Sequence, residues 1–242
     1  YYSIAFFGGS TGYTGDPPIP EILSNNLTKN KIKNIVFNFS SNSSNHNQHI
    51  HRLVKFISYK FDIILFYGGN NETIQYLQYD PRPGYPYNFY MTNNLSEFKI
   101  FLLKHSSLLG LLEKYTGLIS GMKKEKSTLK DKPDDWYENI IKNYLNSIKQ
   151  ANLLTKNNII PNRCGKTHFL AILQPVNPTN SEQKLLWDKI IDASKSLDNL
   201  VNYNSLADNI NFYDNVHIDQ SSKPLIANSM TKDIKKIYKN KC

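Results

Sequence analysis

The sequence feature that most constrains the fold is an apolar run that ends in two glycines at the start of the chain. Residues 3–7 (Ser-Ile-Ala-Phe-Phe) precede Gly8, Gly9 and Ser10. This pattern is typical of a buried strand that turns sharply at the edge of a parallel sheet. Glycine permits the turn and a close approach to a ligand, because it has no Cβ. Ser10 would then lie at the carboxyl edge of the sheet, where open α/β folds bind ligands. The alternative is a serine that only caps a helix.

Further apolar segments along the chain predict the other strands of the same sheet. Continuous apolar strands that alternate with helical patterns indicate a parallel sheet covered on both faces. The third strand, like the first, runs into glycines, at Gly68 and Gly69. The predicted second to fifth strands cover residues 34–39, 61–67, 167–175 and 200–203.

Helical periodicity predicts the elements between these strands. A helix over 49–59 would bury one apolar stripe, and a helix that Ser181 caps would bury another. The first stripe consists of Ile50, Leu53, Val54 and Ile57, and the second of Leu185, Leu186, Ile190 and Ile191. A short helix is expected to begin near Pro20, and a final helix to cover 223–238.

The middle of the chain breaks this alternation. Residues 75–92 are rich in tyrosine and proline, which predicts a long surface loop that could form a lid or a substrate wall. Leucine-rich helical patterns follow at 95–120 and 134–152, and we interpret them as packing surfaces rather than as a cofactor site. We therefore expect a single domain over 1–242 with a helical insertion at about 95–157.

Composition excludes several classes of function. The 242 residues carry a net charge of +9, but no arginine-rich stripe and no basic run with interleaved aromatics, so nucleic-acid binding is not favoured. No apolar run is long enough to span a bilayer. Cys164 and Cys242 give neither metal-ligand spacing nor a disulfide framework. The chain opens directly in a strand, so we expect that an N-terminal segment has been removed, and the compartment stays unassigned.

An acid and a histidine that could work together lie before the last helix. Asp214 and His217 are three residues apart, so the carboxylate can accept the proton of imidazole Nδ1. Nε2 is then free to take a proton from a nucleophile such as Ser10. Many loops contain an Asp-x-x-His, and a surface or capping role for this histidine is the alternative.

The order of these motifs resembles that of the SGNH hydrolase superfamily, also called GDSL-like esterases and lipases. Gly-Gly-Ser at the start, Gly68-Gly69-Asn70-Asn71 in the middle and Asp214-x-x-His217 near the end match its blocks. Gln174 and the proline after it are similar to a stretch of bacterial members with a helical insertion before strand four. The resemblance implies an α/β fold, a three-layer flavodoxin-like sandwich with a mainly parallel five-stranded sheet.

The resemblance also implies roles for individual residues. Ser10 would be the nucleophile, His217 its base and Asp214 the group that orients His217. The oxyanion hole would consist of the N–H groups of Ser10 and Ser43 and the amide of Asn70. Gly69 and Gln174 would contact the substrate. The sequence departs from the family twice, because Ser43 stands where glycine is usual and Asn71 where aspartate is usual.

The implied activity is hydrolysis of a small acyl ester, an O-acetyl group on a carbohydrate, without a metal or an organic cofactor. O-acyl transfer onto a glycan would use the same residues, and a non-catalytic binding module would keep only the fold. The expected partner is a small ester or an acylated saccharide. Relatives of this type often follow an N-terminal membrane anchor, and the sequence predicts no oligomeric state.

Overall fold

A computed structural model of the chain describes residues 1–73, 108, 135–157 and 166–241. Its centre is a sheet of five strands that all run parallel, in the order β2-β1-β3-β4-β5. The strands are β1 (Tyr2–Gly8), β2 (Asn34–Asn38), β3 (Ile63–Gly68), β4 (His168–Leu173) and β5 (Leu200–Asn202). This is the flavodoxin-like strand order, so the predicted α/β fold is confirmed.

Helices cover both faces of the sheet and complete three layers. Leu23 and Met230 pack into the hydrophobic cluster on one face, and Leu53, Tyr144 and Trp187 into the cluster on the other. The first face is covered by α2 (Ile19–Lys29) and α7 (Lys223–Lys241). The second is covered by α3 (His46–Phe56), α5 (Trp136–Asn157) and α6 (Ser181–Ser194). Two short helices, α1 (Ser10–Tyr13) and α4 (Asn70–Thr73), follow β1 and β3.

The unbroken apolar run of β1 reflects burial on both of its faces. Successive side chains of a strand point to opposite faces. Ile4 and Phe6 accordingly belong to one hydrophobic cluster, whereas Ala5 and Phe7 belong to the other, and all four are at most 1% exposed. A strand covered on both sides has no solvent-facing position that would favour a polar residue.

Two helices differ from their predicted form. The cap of α6 is Asn180 rather than Ser181, because the Asn180 side chain accepts from the N–H of Gln183 at 2.8 Å. The α3 helix begins at His46, three residues before the predicted start, because Asn45 and Gln48 form a capping box. The predicted stripes were wrong at Val54 and Leu185, which are 53% and 61% exposed. Helix periodicity gives the width of an apolar stripe, whereas the packing partner decides which residues at its margin are buried.

The predicted loop at 75–92 and the predicted helix at 95–120 lie outside the described residues, apart from Leu108. The helix expected at 134–152 corresponds to α5 (Trp136–Asn157). The single-domain organisation with a helical insertion stays a prediction. Within the described parts of the chain, no helix is both long and apolar enough to cross a membrane.

Candidate active site

Ser10 lies where β1 turns into the first short helix. Its side chain is half-buried, and it is the first residue of α1, two positions after the last residue of β1. Both the N–H and the hydroxyl of Thr14 donate to the Ser10 carbonyl, each at 2.9 Å. These two hydrogen bonds fix the backbone of Ser10 at the carboxyl edge of the sheet.

The structure brings Ser10 and His217 together across 207 residues of sequence. Ser10 Oγ lies 2.8 Å from His217 Nε2, and His217 Nδ1 lies 2.7 Å from Asp214 Oδ2. In the tautomer with its proton on Nδ1, the Nδ1–H donates to the Asp214 carboxylate and Nε2 accepts from the Ser10 hydroxyl. This arrangement can carry a proton from a serine to a histidine that a carboxylate orients.

The Asp214 carboxylate also organises the backbone around His217. Its Oδ1 accepts hydrogen bonds from the N–H groups of Val216, at 2.8 Å, and His217, at 2.7 Å. Desolvation raises the pKa of Asp214, but the hydrogen bonds from His217 and Val216 outweigh it and hold this pKa below its ordinary value. Asp214 therefore stays ionised at neutral pH.

The loop that carries these two residues is a small hairpin anchored in the core. Phe212 and Ile218 form an antiparallel bridge, and the N–H of Tyr213 donates to the His217 carbonyl at 2.7 Å. The buried side chains of Val216 and Ile218 pack into the clusters on opposite faces of the sheet. The hairpin thus has a defined position relative to the strands.

Two contacts join the segment after His217 to the loop after Ser10. Gln220 Nε2 donates to the Pro17 carbonyl at 3.0 Å, and Lys223 Nζ donates to the Thr14 carbonyl at 2.6 Å. Desolvation by burial lowers the pKa of Lys223. Thr14 also donates to the Ser10 carbonyl. These contacts therefore connect the segment that follows His217 to the loop that follows Ser10.

Two further residues expected to form the oxyanion hole, Ser43 and Asn70, lie in the segments that follow β2 and β3. Asn70 is the first residue of α4 and is 2% exposed. Ser43 is exposed and has a φ of 55°, in the left-handed region that favours glycine. Serine here therefore keeps the kind of backbone conformation that the family's glycine adopts readily. The roles of Ser43 and Asn70 as oxyanion donors stay predictions.

Gly69 and Gln174 lie at the same edge of the sheet. Gly69 has a φ of 116°, which residues with a Cβ rarely adopt, and a Cβ on it would also press against Leu173 Cδ1, so this position favours glycine. The Gln174 side chain is 3% exposed and accepts a hydrogen bond from the hydroxyl of Thr11 at 3.3 Å. The sequence predicted that both residues bind substrate, and this stays a prediction.

Sequence reasoning missed a buried polar cluster beneath the ends of β1 and β3. His46 Nδ1 lies 2.7 Å from Glu72 Oε1, with side chains 1% and 2% exposed. The rings of His49 and Tyr144 lie 5.2 Å and 4.9 Å from the ring of His46. Burial, followed by the neighbouring His46 and Arg52, lowers the pKa of His49, whereas burial and Glu72 raise the pKa of Tyr144. The spacing of Asn45 and Gln48, three residues apart as in a capping box, is a sequence signal that could have located the start of this region.

Among residues 1–73, 108, 135–157 and 166–241, no group of three or more histidine, cysteine, aspartate or glutamate side chains could hold a metal ion.

Comparison with solved structures gives relatives of one fold. A lipase from a goat rumen metagenome has a TM-score of 0.57 at 12% identity, with 96% of this chain and 97% of that chain covered. A protein from Parabacteroides merdae named as a GDSL-like lipase has a TM-score of 0.53 at 12% identity, with coverage of 96% and 94%. A carbohydrate acetylesterase from Sinorhizobium meliloti has a TM-score of 0.52 at 8% identity, with coverage of 98% and 100%.

The chain has the SGNH (GDSL-like) hydrolase fold. No protein-family model and no curated protein matches its sequence. At 8–12% identity these likenesses concern the fold, so the activity has to be argued from the side chains at the carboxyl edge of the sheet.

Proposed function

We propose that this SGNH-fold protein is a serine ester hydrolase that removes a small acyl group. The observation that carries the proposal is the chain of two short contacts from Ser10 Oγ to His217 (2.8 Å) and from His217 to Asp214 (2.7 Å). A serine within hydrogen-bond reach of a histidine that a carboxylate orients is the signature of an activated nucleophile. The solved esterases and lipases that share the fold support the same class of reaction.

The reaction follows from these positions. Ser10 Oγ attacks the ester carbonyl carbon while His217 Nε2 takes the hydroxyl proton, and Asp214 stabilises the imidazolium that forms. The tetrahedral intermediate collapses, the C–O bond to the alcohol breaks, and His217 returns the proton to the leaving alkoxide. Water then attacks the acyl-enzyme with His217 again as the base, which releases the acid and restores Ser10.

The oxyanion of both intermediates would lie between three donors. We assign the N–H groups of Ser10 and Ser43 and the side-chain amide of Asn70 to this role. They belong to three separate loop ends at the carboxyl edge of the sheet. Such donors stabilise the transition state by about 3 kcal/mol each, because the negative charge develops only there.

The substrate that we propose is an O-acetyl ester on a saccharide. Tyr13, three residues after Ser10, is 56% exposed, and Tyr213, next to Asp214, is 75% exposed. Exposed aromatic rings this near to Ser10 and Asp214 in the sequence suit stacking on the apolar faces of sugar rings. The side chains of His217 and Asp214 are 36% and 49% exposed, so a group on a bulky saccharide could reach them. One relative by fold is a carbohydrate acetylesterase.

The decisive experiment is hydrolysis of p-nitrophenyl acetate and of an acetylated saccharide by the purified protein. Ser10→Ala and His217→Ala should each lower kcat by about 1,000-fold or more, because each removes a member of one proton-transfer unit. Asn70→Ala should lower kcat by about 100-fold. The matched controls are Ser196→Ala and His51→Ala, which change an exposed serine and an exposed histidine elsewhere and should leave kcat unchanged.

Activity that survives Ser10→Ala would show that another group is the nucleophile. An inactive wild-type protein that also transfers no acetyl group to a saccharide acceptor would leave only the binding-module alternative.

A further inference from the structure

The short helix α4 does more than present Asn70, because its next two side chains both reach residues 41–46. Asn71 Nδ2 donates to the carbonyl of Ser44 at 2.7 Å. This hydrogen bond passes directly over Gly9, the residue before Ser10, where a Cβ would lie 2.8 Å from Asn71 Nδ2. Three chain segments therefore meet at this bond: the end of β1, the loop that contains Ser43 and the helix that carries Asn70.

Glu72 makes the second connection to the same loop, from within the core. Its Oε1 accepts a hydrogen bond from the backbone N–H of His46 and lies 2.7 Å from His46 Nδ1. Glu72 is 1% exposed and His46 is fully buried. Such a buried carboxylate is costly unless it is paired and hydrogen-bonded, so this contact has little freedom to rearrange.

The carboxylate adds a tertiary contact to the start of α3, which the Asn45–Gln48 capping box defines. His46 is the first residue of α3, and the first turn of that helix contains no acidic residue. The first N–H groups of a helix lack partners within it, and a negative charge there is favourable. Glu72 supplies an acceptor for the His46 N–H from a different element. The capping box and this contact from α4 together fix the position at which the 41–46 loop ends.

We propose that Asn71 and Glu72 are positioning residues, which hold the 41–46 loop and the Ser43 amide in register with Asn70. This inference rests on the function proposed above and adds the two residues that would assemble its oxyanion hole. Neither side chain is assigned a contact with the substrate. Both act through the loop that they bind.

The two departures from the family pattern, Ser43 and Asn71, meet in this arrangement. Ser43 adopts a φ of 55°, which a residue with a Cβ resists. Asn71 binds the carbonyl of Ser44, the very next residue. We infer that the Asn71 amide compensates for serine at position 43 by holding the peptide that follows it.

The test is a double-substitution cycle that measures kcat and KM with p-nitrophenyl acetate. Asn71→Asp keeps the shape of the side chain but removes the donor, and it should lower kcat about 10- to 100-fold with little change in KM, because donors to a developing charge must be well placed. The same change in a Ser43→Gly background should cost at least about threefold less, because glycine adopts this φ without support. If Asn71→Asp lowers kcat by the same factor in the two backgrounds, Asn71 does not compensate for Ser43.

Glu72 is tested by a conservative pair of variants. Glu72→Gln retains an oxygen that can accept from the His46 N–H, whereas Glu72→Ala retains no acceptor. We expect Glu72→Gln to keep at least about a third of wild-type kcat and Glu72→Ala to lose about 10-fold or more in kcat. Equal values for the two variants would show that the hydrogen bond has no positioning role.

The control is Asn34→Asp, the same chemical change at the opposite edge of the sheet. Asn34 Nδ2 donates to the carbonyls of Ser24 and Ile32 at 3.2 Å and 3.0 Å. Asn34 pairs with Tyr2 at the start of β1, far along the strand from Ser10. This variant should lower the melting temperature and leave kcat unchanged. If Asn34→Asp lowers kcat as much as Asn71→Asp does, both losses of kcat would be explained by lower stability rather than by positioning.

A second readout separates this inference from the proposed function. Amide hydrogen exchange of residues 41–46, followed by mass spectrometry, should be at least about fivefold faster in Asn71→Asp than in the wild type, whether or not the protein hydrolyses esters. If the wild type hydrolyses no ester but Asn71→Asp still shows this faster exchange, the proposed ester hydrolase is refuted and the positioning role of Asn71 is supported. Unchanged exchange in Asn71→Asp would refute the positioning role of Asn71.

Discussion

At the scale of single residues, the two carboxylate oxygens of Asp214 accept hydrogen bonds from different donors. Oδ2 accepts from the ring of His217, and Oδ1 accepts from the backbone N–H groups of His217 and Val216. One side chain thus shapes the hairpin and also orients the imidazole. The same hydrogen bonds hold the pKa of Asp214 below its ordinary value, against the effect of desolvation.

This pKa gives a pH dependence with a definite sign. A carboxylate whose pKa is depressed by folding stabilises the native state above its unfolded pKa, about 3.9, and loses that contribution as the pH falls through the folded pKa. We expect wild type to have a higher melting temperature than Asp214→Asn near neutral pH. Below about pH 4 the difference should shrink. Thermal unfolding of both proteins from pH 2.5 to 7 measures it, and a constant difference would contradict the assignment.

A second residue-scale prediction concerns substrate binding. Tyr213→Ala removes the exposed ring of the residue that precedes Asp214 and should raise KM for an acetylated saccharide about 2- to 10-fold, more than for p-nitrophenyl acetate. Tyr59→Ala is the matched control, because Tyr59 is also exposed, at 70%, but precedes the opposite end of β3. Steady-state kinetics with both substrates decide the matter. Equal changes for the two substrates would argue against stacking on a sugar ring.

At the scale of elements, α6 shows how tertiary packing selects one face of an amphipathic helix. Leu186, Trp187, Ile190 and Ser194 are its buried residues, whereas Leu185 is 61% exposed. Trp187 also donates from Nε1 to Asn204 Oδ1 at 2.8 Å, which fixes α6 against the turn after β5. The spacing of the apolar residues predicted the helix, and its contacts with the sheet decided its rotation.

Two substitutions on α6 test this rotation. Ile190→Ala should lower the free energy of unfolding by about 2–5 kcal/mol, because it leaves a cavity at a fully buried site. Leu185→Ala should change it by no more than about 0.5 kcal/mol, because that side chain already contacts water. Urea unfolding curves provide both values. A large loss at position 185 would mean that this face of α6 is covered.

At the scale of the whole molecule, the parallel sheet gathers the candidate site at one edge. Ser10 follows β1, Asn70 follows β3 and Gln174 follows β4. Parallel strands in neighbouring positions end at the same edge, which is why residues far apart in sequence meet there. β1, β3 and β4 occupy the middle of the sheet, and β2 and β5 its margins.

The same order predicts how the sheet opens. All residues of β3 are buried, whereas three of the five residues of β2 are exposed. Backbone hydrogen bonds with little covering surface open at lower free energy. We therefore expect slower amide hydrogen exchange at Ile63–Gly68 than at Asn34–Asn38, by at least about 100-fold. Native-state exchange resolved by peptide measures this ratio, and similar rates would contradict the order.

The sequence predicted the strands well, since a strand buried on both faces has an unbroken apolar run that glycine or proline ends. It also predicted which side chains would follow the strand ends, so Ser10, Asn70 and Gln174 could be identified as the residues after β1, β3 and β4. It predicted the margins of the apolar stripes poorly, at Val54 and Leu185, because burial there depends on the neighbouring element. The pair of His46 and Glu72 was missed, since no local pattern marks a contact between residues 26 positions apart.

The sequence by itself determined the α/β alternation and the residues at the strand ends, because strand burial and turn chemistry act over a few neighbouring residues. It also determined that Asp214 and His217 can meet, since three residues of one loop separate them. Only the tertiary structure decided that His217 faces Ser10 and that Glu72 holds the start of α3. Those contacts join residues that only the folding of the sheet and its helices brings within hydrogen-bond distance.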